Sequence, residues 1–277
     1  MIYAPDRIQD IEAMAKRMRL AALDMALSAG KGGAHLGGGL SCIEIFAALY
    51  GGVLRFDPKN PCWEERDRFF VSKNHCVLAQ FPALYEAGYI EKQDLRELTK
   101  DGGRINGYPR DVGLGLEYSG GSLGMAVSVA IGVALALREK ESGAHVYVLM
   151  GDGELNEGSV WEALLSAAQY KLDNLTVLID RNHLCYDGDT EDVMALEDLE
   201  AKFQAFNWKV KRCDGHSITD LLRAMAEERP GTPYAIIAET VKGKGVSFME
   251  NRAEWHHGVL SQKQYEQARA ELLGGAG

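Results

Sequence analysis

Two short segments hold the residues best able to do chemistry. The first, Gly151-Asp152-Gly153-Glu154-Leu155-Asn156-Glu157-Gly158, follows the apolar run HVYVLM. Its glycines permit a tight turn with outward-facing N–H groups, and a helix from about Asn156 to Tyr170 would point its positive N-terminus at an anion. The second, Ile179-Asp180-Arg181-Asn182-His183-Leu184, closes the run LTVLID. Asp152 and Asn182 stand thirty positions apart, which suits one strand-helix-strand crossover and lets the two converge on one point. A carboxylate and a carboxamide make an oxygen-only partial site, suited to Mg²⁺ or Ca²⁺ and unsuited to zinc. With a main-chain carbonyl added, the remaining positions are the kind Mg²⁺ fills with phosphate oxygens and water. Metal and anion are then one ligand, a metal diphosphate. Asp-Gly is also a frequent turn pair, so spacing alone leaves a plain strand-to-helix turn open.

The elements that must position these residues are legible as alternating segments. Apolar residues from Ile8 to Met25 recur at helical spacing and predict an amphipathic first helix ending near Ser28, followed by the loop GKGGAHLGGGLS. Five β-branched or apolar segments then alternate with helical ones: RFFVS (68–72), HVYVLM (145–150), LTVLID (175–180), WKVKRC (208–213) and YAIIAE (234–239). That alternation predicts an α/β fold with a doubly wound parallel sheet and helices on both faces. Ligands in such sheets collect at the carboxyl ends of the strands, where both chemical segments lie. The longest apolar stretch, Gly124 to Leu137, suits a buried helix.

The 277 residues are 46% hydrophobic and 25% charged, ordinary globular values that exclude collagen-like and disordered classes. No repeat or linker marks a boundary, so residues 1–277 read as one domain. The formal net charge of -10 argues against a nucleic-acid binder relying on bulk positive charge. No stretch approaches the length of a membrane span, and the N-terminus lacks the layout of a signal peptide. The cysteines, Cys42, Cys62, Cys76, Cys185 and Cys213, are odd in number and form no CxxC pair, which suits a reduced cytoplasmic interior.

GDGELNEGSVWEA followed by NLTVLIDRNHL resembles the thiamine-diphosphate motif in its transketolase form. The blocks DPKNPCWEERDRFFVSKNHCVLAQFPALYEAGY, GLEYSGGSLG, KRCDGH, TPYAIIAETVKGKGVSFMEN and WHHG resemble, in order, the diphosphate-binding domain of the transketolase family, from about Ala15 to Gly258. The resemblance implies a thiamine-diphosphate-binding fold, and it implies that Asp152, Asn182 and the Leu184 carbonyl bind the metal. It assigns Gly121, Ser122, Leu123 and Gly153 to cofactor contacts, and Glu157 to a subunit interface where acidic residues couple paired cofactors. Read alone, Glu157 is an acidic residue complementing a helix dipole. By the same resemblance His35 and His75 face the cofactor's reactive carbon and the sugar hydroxyls, where a neutral imidazole suits proton shuttling. A third family histidine falls on His256 or His257. The His-Gly pair favours His257 as a residue touching cofactor and substrate.

Two positions depart from the pattern. Tyr108 stands where many members have the histidine of Gly-His-Pro, keeping hydroxyl recognition but not imidazole chemistry. Leu36 replaces the proline after His35. Both point toward a non-standard sugar.

The implied activity is transfer of a two-carbon ketol unit from a ketose to an aldose, with thiamine diphosphate and Mg²⁺ or Ca²⁺. Members of the family continue into a pyrimidine-binding domain and a third domain. The resemblance therefore implies a partner subunit carrying the pyrimidine-binding domain, a two-plus-two heterotetramer, and a chain inert alone. The alternatives are a 1-deoxyxylulose-phosphate synthase-like or 2-oxo-acid dehydrogenase-like subunit, and a non-catalytic cofactor-binding protein.

Overall fold

The computed structural model describes residues 3–108, 114–227 and 230–274. Pro109 and the ends of the expected domain, residues 1–2 and 275–277, lie outside them. The five expected strands are all present: β1 (Arg68–Val71), β2 (Val146–Gly151), β3 (Leu175–Arg181), β4 (Lys209–Asp214) and β5 (Tyr234–Glu239). They form one parallel sheet in the order β1-β2-β3-β5-β4. The helices are α1 (Pro5–Ser28), α2 (Leu36–Leu40), α3 (Ile43–Ala48), α4 (Val77–Glu86), α5 (Ala126–Glu139), α6 (Gly158–Gln169), α7 (Thr190–Met194), α8 (Leu199–Ala205), α9 (Ile218–Met225) and α10 (Gln262–Leu273).

Side-chain alternation along the strands divides the core in two. Val148, Met150, Val177 and Ile179 pack with residues of α5, α6 and α8, whereas Tyr147, Leu149, Leu178 and Ile236 pack with α1, α3 and α9. Helices thus cover both faces, and β3 is buried along its whole length. The edge strand β4 exposes Lys211 and Arg212, charges that discourage pairing with another sheet. Side-chain caps start several helices: Asp189 accepts from the Glu191 N–H, Asp198 from Ala201, and Ser217 from Asp220. Ser261 and Gln264 close a capping box on α10, and left-handed Gly274 follows its last residue.

Two expectations need correction. A 3-10 turn over Gly153–Asn156 precedes α6, so the helix expected from Asn156 starts at Gly158. The stretch from Gly124 to Leu137 does form α5, but only one side is buried, through Val127, Ala130, Ile131 and Ala134. Met125 remains 48% and Val129 45% exposed, and Leu165 of α6 is 56% exposed. An apolar helix buries only the side that meets a neighbour within its own chain.

Candidate active site

Strand register creates the site. Gly151 pairs with Asp180 across β2 and β3, so the turns that follow both strands open at the same sheet edge. In the first turn the Asp152 carboxylate, 2% exposed, accepts the Gly153 N–H at 2.8 Å. From the second it accepts the His183 N–H at 2.6 Å. His183 reaches that position with φ of 66°, a left-handed conformation uncommon outside glycine. Asn182 donates from Nδ2 to Asp180 Oδ2 at 3.1 Å, while its Oδ1 accepts the Leu184 N–H at 3.2 Å. Asp152 and Asn182 are thereby held beside each other at the strand ends.

Beneath them lies a buried ion pair that sequence reasoning did not single out. Lys73, 2% exposed, donates to Asp180, which is fully buried and also accepts hydroxyls from Thr240 and from Ser41, the latter at 2.6 Å. Burial would raise the Asp180 pKa, but the Lys73 ammonium and these hydrogen bonds hold it below the carboxylate range. Glu154 joins three segments, accepting the Ser72 hydroxyl, the Gly124 N–H at 2.8 Å and the Gly151 N–H at 3.1 Å. Its carboxylate fixes the glycine loop against the ends of β1 and β2. The sequence signal for Glu154 was its place inside the Gly-Asp-Gly-Glu turn.

These groups line a cleft of about 350 Å³ whose other wall is aromatic. The His35 ring centroid lies 5.2 Å from His75, 5.5 Å from His256, 4.6 Å from His257 and 6.0 Å from Tyr108. His35, His75, Tyr108, Gly121, Leu123, Asp152, Gly153, Asn182 and Leu184 all border the cleft. Ser122 is exposed beside it. Glu157, also exposed, is the N-cap of α6 outside the cleft. The two candidates for the third histidine are placed differently. His256 borders the cleft and stacks 5.2 Å from His75, whereas His257 is exposed against the outer side of His35. An antiparallel bridge between Ala34 and Gly258 sets this register, and Gly33 permits it, since a Cβ there would lie 2.8 Å from the Gly258 carbonyl.

Lys242 is the residue that sequence reasoning missed most. Its Nζ donates to the Leu184 carbonyl at 2.8 Å and the Cys185 carbonyl at 3.1 Å, and lies 3.0 Å from His256 Nδ1. Its only signal was the KGKG run after β5. Burial and nearby Lys73 lower its pKa to about 8. The same burial, reinforced by neighbouring cations, pushes His35 down to about 4 and His256 to about 3, and holds His75 well below its ordinary value. The three imidazoles are therefore neutral near pH 7, each ring offering one N–H donor and one nitrogen acceptor.

The donor set fits a hard cation accompanied by an anion. Burial, with Asp180 nearby, raises the Asp152 pKa, the response of a carboxylate in need of positive charge. The Leu184 carbonyl already attracts an ammonium. Among the described residues no group of three or more His, Cys, Asp or Glu side chains could hold a metal, so the corner offers only part of a coordination shell. A larger groove of about 550 Å³ between α1, α4 and α10 includes the Asp24 and Glu86 carboxylates, but these already pair with Arg269 and Arg17.

Residues 11–274 match the family model described as transketolase, thiamine diphosphate binding domain. The chain is 39% identical over 268 residues to an apulose-4-phosphate transketolase subunit of Phocaeicola vulgatus, covering 96% of this chain and 95% of that one. It is 37% identical to the 6-deoxy-6-sulfo-D-fructose transketolase subunit SqwG of a Clostridium species, covering 95% and 96%. Transketolase from Leishmania mexicana superposes with a TM-score of 0.90 at 28% identity, over 96% of this chain but 41% of that one. The chain thus spans about two fifths of the full-length transketolases it matches and nearly all of the single subunits.

Proposed function

The chain belongs to the transketolase family through its thiamine diphosphate binding domain, and on that premise we propose that it is the N-terminal subunit of a two-subunit transketolase. The observation that carries this reading is the meeting of Asp152, Asn182 and the Leu184 carbonyl, with Lys242, at the foot of a cleft walled by neutral histidines. Asp152 Oδ1, Asn182 Oδ1 and the Leu184 carbonyl would hold Mg²⁺ or Ca²⁺, with Lys242 and the Gly153 N–H facing the diphosphate. When bound, thiamine diphosphate supplies the electron sink that lets a ketose carbon–carbon bond break and a two-carbon unit pass to an aldose.

This chain's own residues bind and move protons. His35, His75 and His256 surround the space above the cleft floor, where neutral imidazoles exchange protons with sugar hydroxyls. Tyr108 presents a phenol to the same space, where the resemblance leads one to expect an imidazole. The relatives named for apulose-4-phosphate and for 6-deoxy-6-sulfo-D-fructose support a donor outside the ordinary pentose phosphates.

The exposed apolar side of α5 and α6, with Glu157 at the start of α6, supports a subunit interface and, with the partner, a two-plus-two assembly. The five cysteines, all free, support a reducing cytoplasmic compartment. The test has two parts. Asp152→Ala should abolish thiamine diphosphate binding measured by calorimetry in the presence of Mg²⁺. Ketol transfer should appear only when the chain is mixed with a subunit carrying the pyrimidine-binding domain. Retained binding in Asp152→Ala would overturn the site. Transfer by the chain alone would overturn the two-subunit reading.

A further inference from the structure

Arg181 lies inside the second chemical segment but points away from the cleft. It is 5% exposed at the end of β3, on the opposite side of the strand from Asp180. Its Nη1 donates to Asp152 Oδ2 at 3.3 Å and to the Thr190 hydroxyl at 2.6 Å, and its Nη2 donates to Glu191 at 2.8 Å. It does not border the cleft, so it reaches whatever binds there only through Asp152.

The arrangement is unusual for a cation site. Two of the three groups offered to a metal already have a protein cation beside them: Arg181 on Oδ2 of the Asp152 carboxylate, next to the Oδ1 assigned to the metal, and Lys242 on the Leu184 carbonyl. The nearest carboxylate, Asp180, is itself engaged by Lys73, Ser41, Thr240 and Asn182. Glu154 is likewise committed to Ser72 and two backbone N–H groups. A bare dication therefore meets positive charge at its own ligands, in a buried setting where water screens little. When the same dication arrives on a diphosphate, the anion answers that charge.

We propose that Arg181 makes metal uptake conditional on the diphosphate: by sharing Asp152 it weakens the hold on a free cation and leaves the site selective for the metal–diphosphate complex. This rests on the proposed metal site of Asp152, Asn182 and Leu184. Arg181 is in these terms a positioning residue that acts through Asp152, and Glu191, on the outer side of the guanidinium, tempers its charge.

The experiment titrates Mn²⁺ into the 277-residue chain at pH 8, with and without thiamine diphosphate, following free Mn²⁺ by electron paramagnetic resonance. Arg181→Met should bind Mn²⁺ alone at least tenfold more tightly than wild type, shrinking the enhancement given by the diphosphate by the same factor. Arg181→Lys, which keeps the charge, should stay within about threefold of wild type. Glu191→Gln, a change at a partly exposed side chain that leaves Arg181 untempered, should weaken binding of Mn²⁺ alone and carries the test if Arg181→Met does not fold. Bare-metal affinity unchanged or lower in a folded Arg181→Met, or higher in Glu191→Gln, would overturn the proposal. Asp152→Asn separates the two levels: diphosphate-dependent Mn²⁺ binding that survives this change means that the site itself is misassigned.

Discussion

Replacing Lys73 by methionine removes the one cation that, among the described residues, donates to fully buried Asp180, and leaves the carboxylate without a countercharge. Breaking a buried pair from one side costs about 3–5 kcal/mol. The hydroxyls of Ser41 and Thr240 and the Asn182 amide remain as donors, which places Lys73→Met near the lower end, about 3 kcal/mol. For a chain of this size that corresponds to a fall in melting temperature of roughly 6–12 °C. The pH dependence gives the mechanism. In the wild type the Asp180 pKa is depressed, so its contribution is present above the unfolded value and lost as pH falls through the folded one. In Lys73→Met desolvation is opposed only by the remaining hydrogen bonds, the folded pKa rises, and acidification relieves the variant. The gap between the two proteins in urea or thermal denaturation should narrow from pH 7 toward pH 5. The double variant Lys73→Met/Asp180→Asn should recover at least half the loss. A single variant within about 1 kcal/mol of wild type, or a double variant no better than the single, would refute the account of this pair as a matched unit.

His256→Ala should lower ketol transfer in the assembled enzyme by about 10²–10⁴, the range for a lost proton-transfer group. His257→Ala should change it by less than about tenfold, because that ring is exposed outside the cleft; steady-state rates of the two variants decide the pair. His35 and His256 have folded pKa values of about 4 and about 3, below the unfolded value, so the unfolded chain binds more protons as pH falls from about 6.5. Stability should therefore drop between pH 6.5 and pH 4, and the urea midpoint of a His35→Gln/His256→Gln variant should vary less across that window. Val129→Glu, on the exposed side of α5, should abolish co-purification with the partner subunit while shifting the melting temperature of the isolated chain by no more than about 2 °C, as for an exposed substitution.

The strands were legible because each is a short β-branched or apolar run between turn residues, and the turns at 151–153 and 182–184 because glycine, carboxylate and carboxamide followed those runs directly. The strand order was not. Nothing local says that β5 inserts between β3 and β4, yet that insertion brings Thr240 onto Asp180 and Lys242 onto the Leu184 carbonyl. Lys73, Arg181 and Glu154 were missed for the same reason, since their partners lie 107, 29 and 30 positions away respectively. The different placement of His256 and His257 follows from a backbone bridge from Ala34 to Gly258, which no residue pattern announces. The outward side of α5 misled because periodicity reports how apolar a helix is, while burial depends on what the rest of the chain places against it.

That outward side bears on how a cell must supply the protein. Met125, Val129 and Leu165, each about half exposed, are the sort of side chains that chaperones retain and proteases search for, and they stay open to water whenever the chain stands alone. Synthesis in excess of the partner would therefore be discarded rather than stored. The amount of active enzyme would follow the scarcer of the two chains, and a substitution such as Val129→Glu, useless for assembly, would outlive the wild-type chain when each is made by itself.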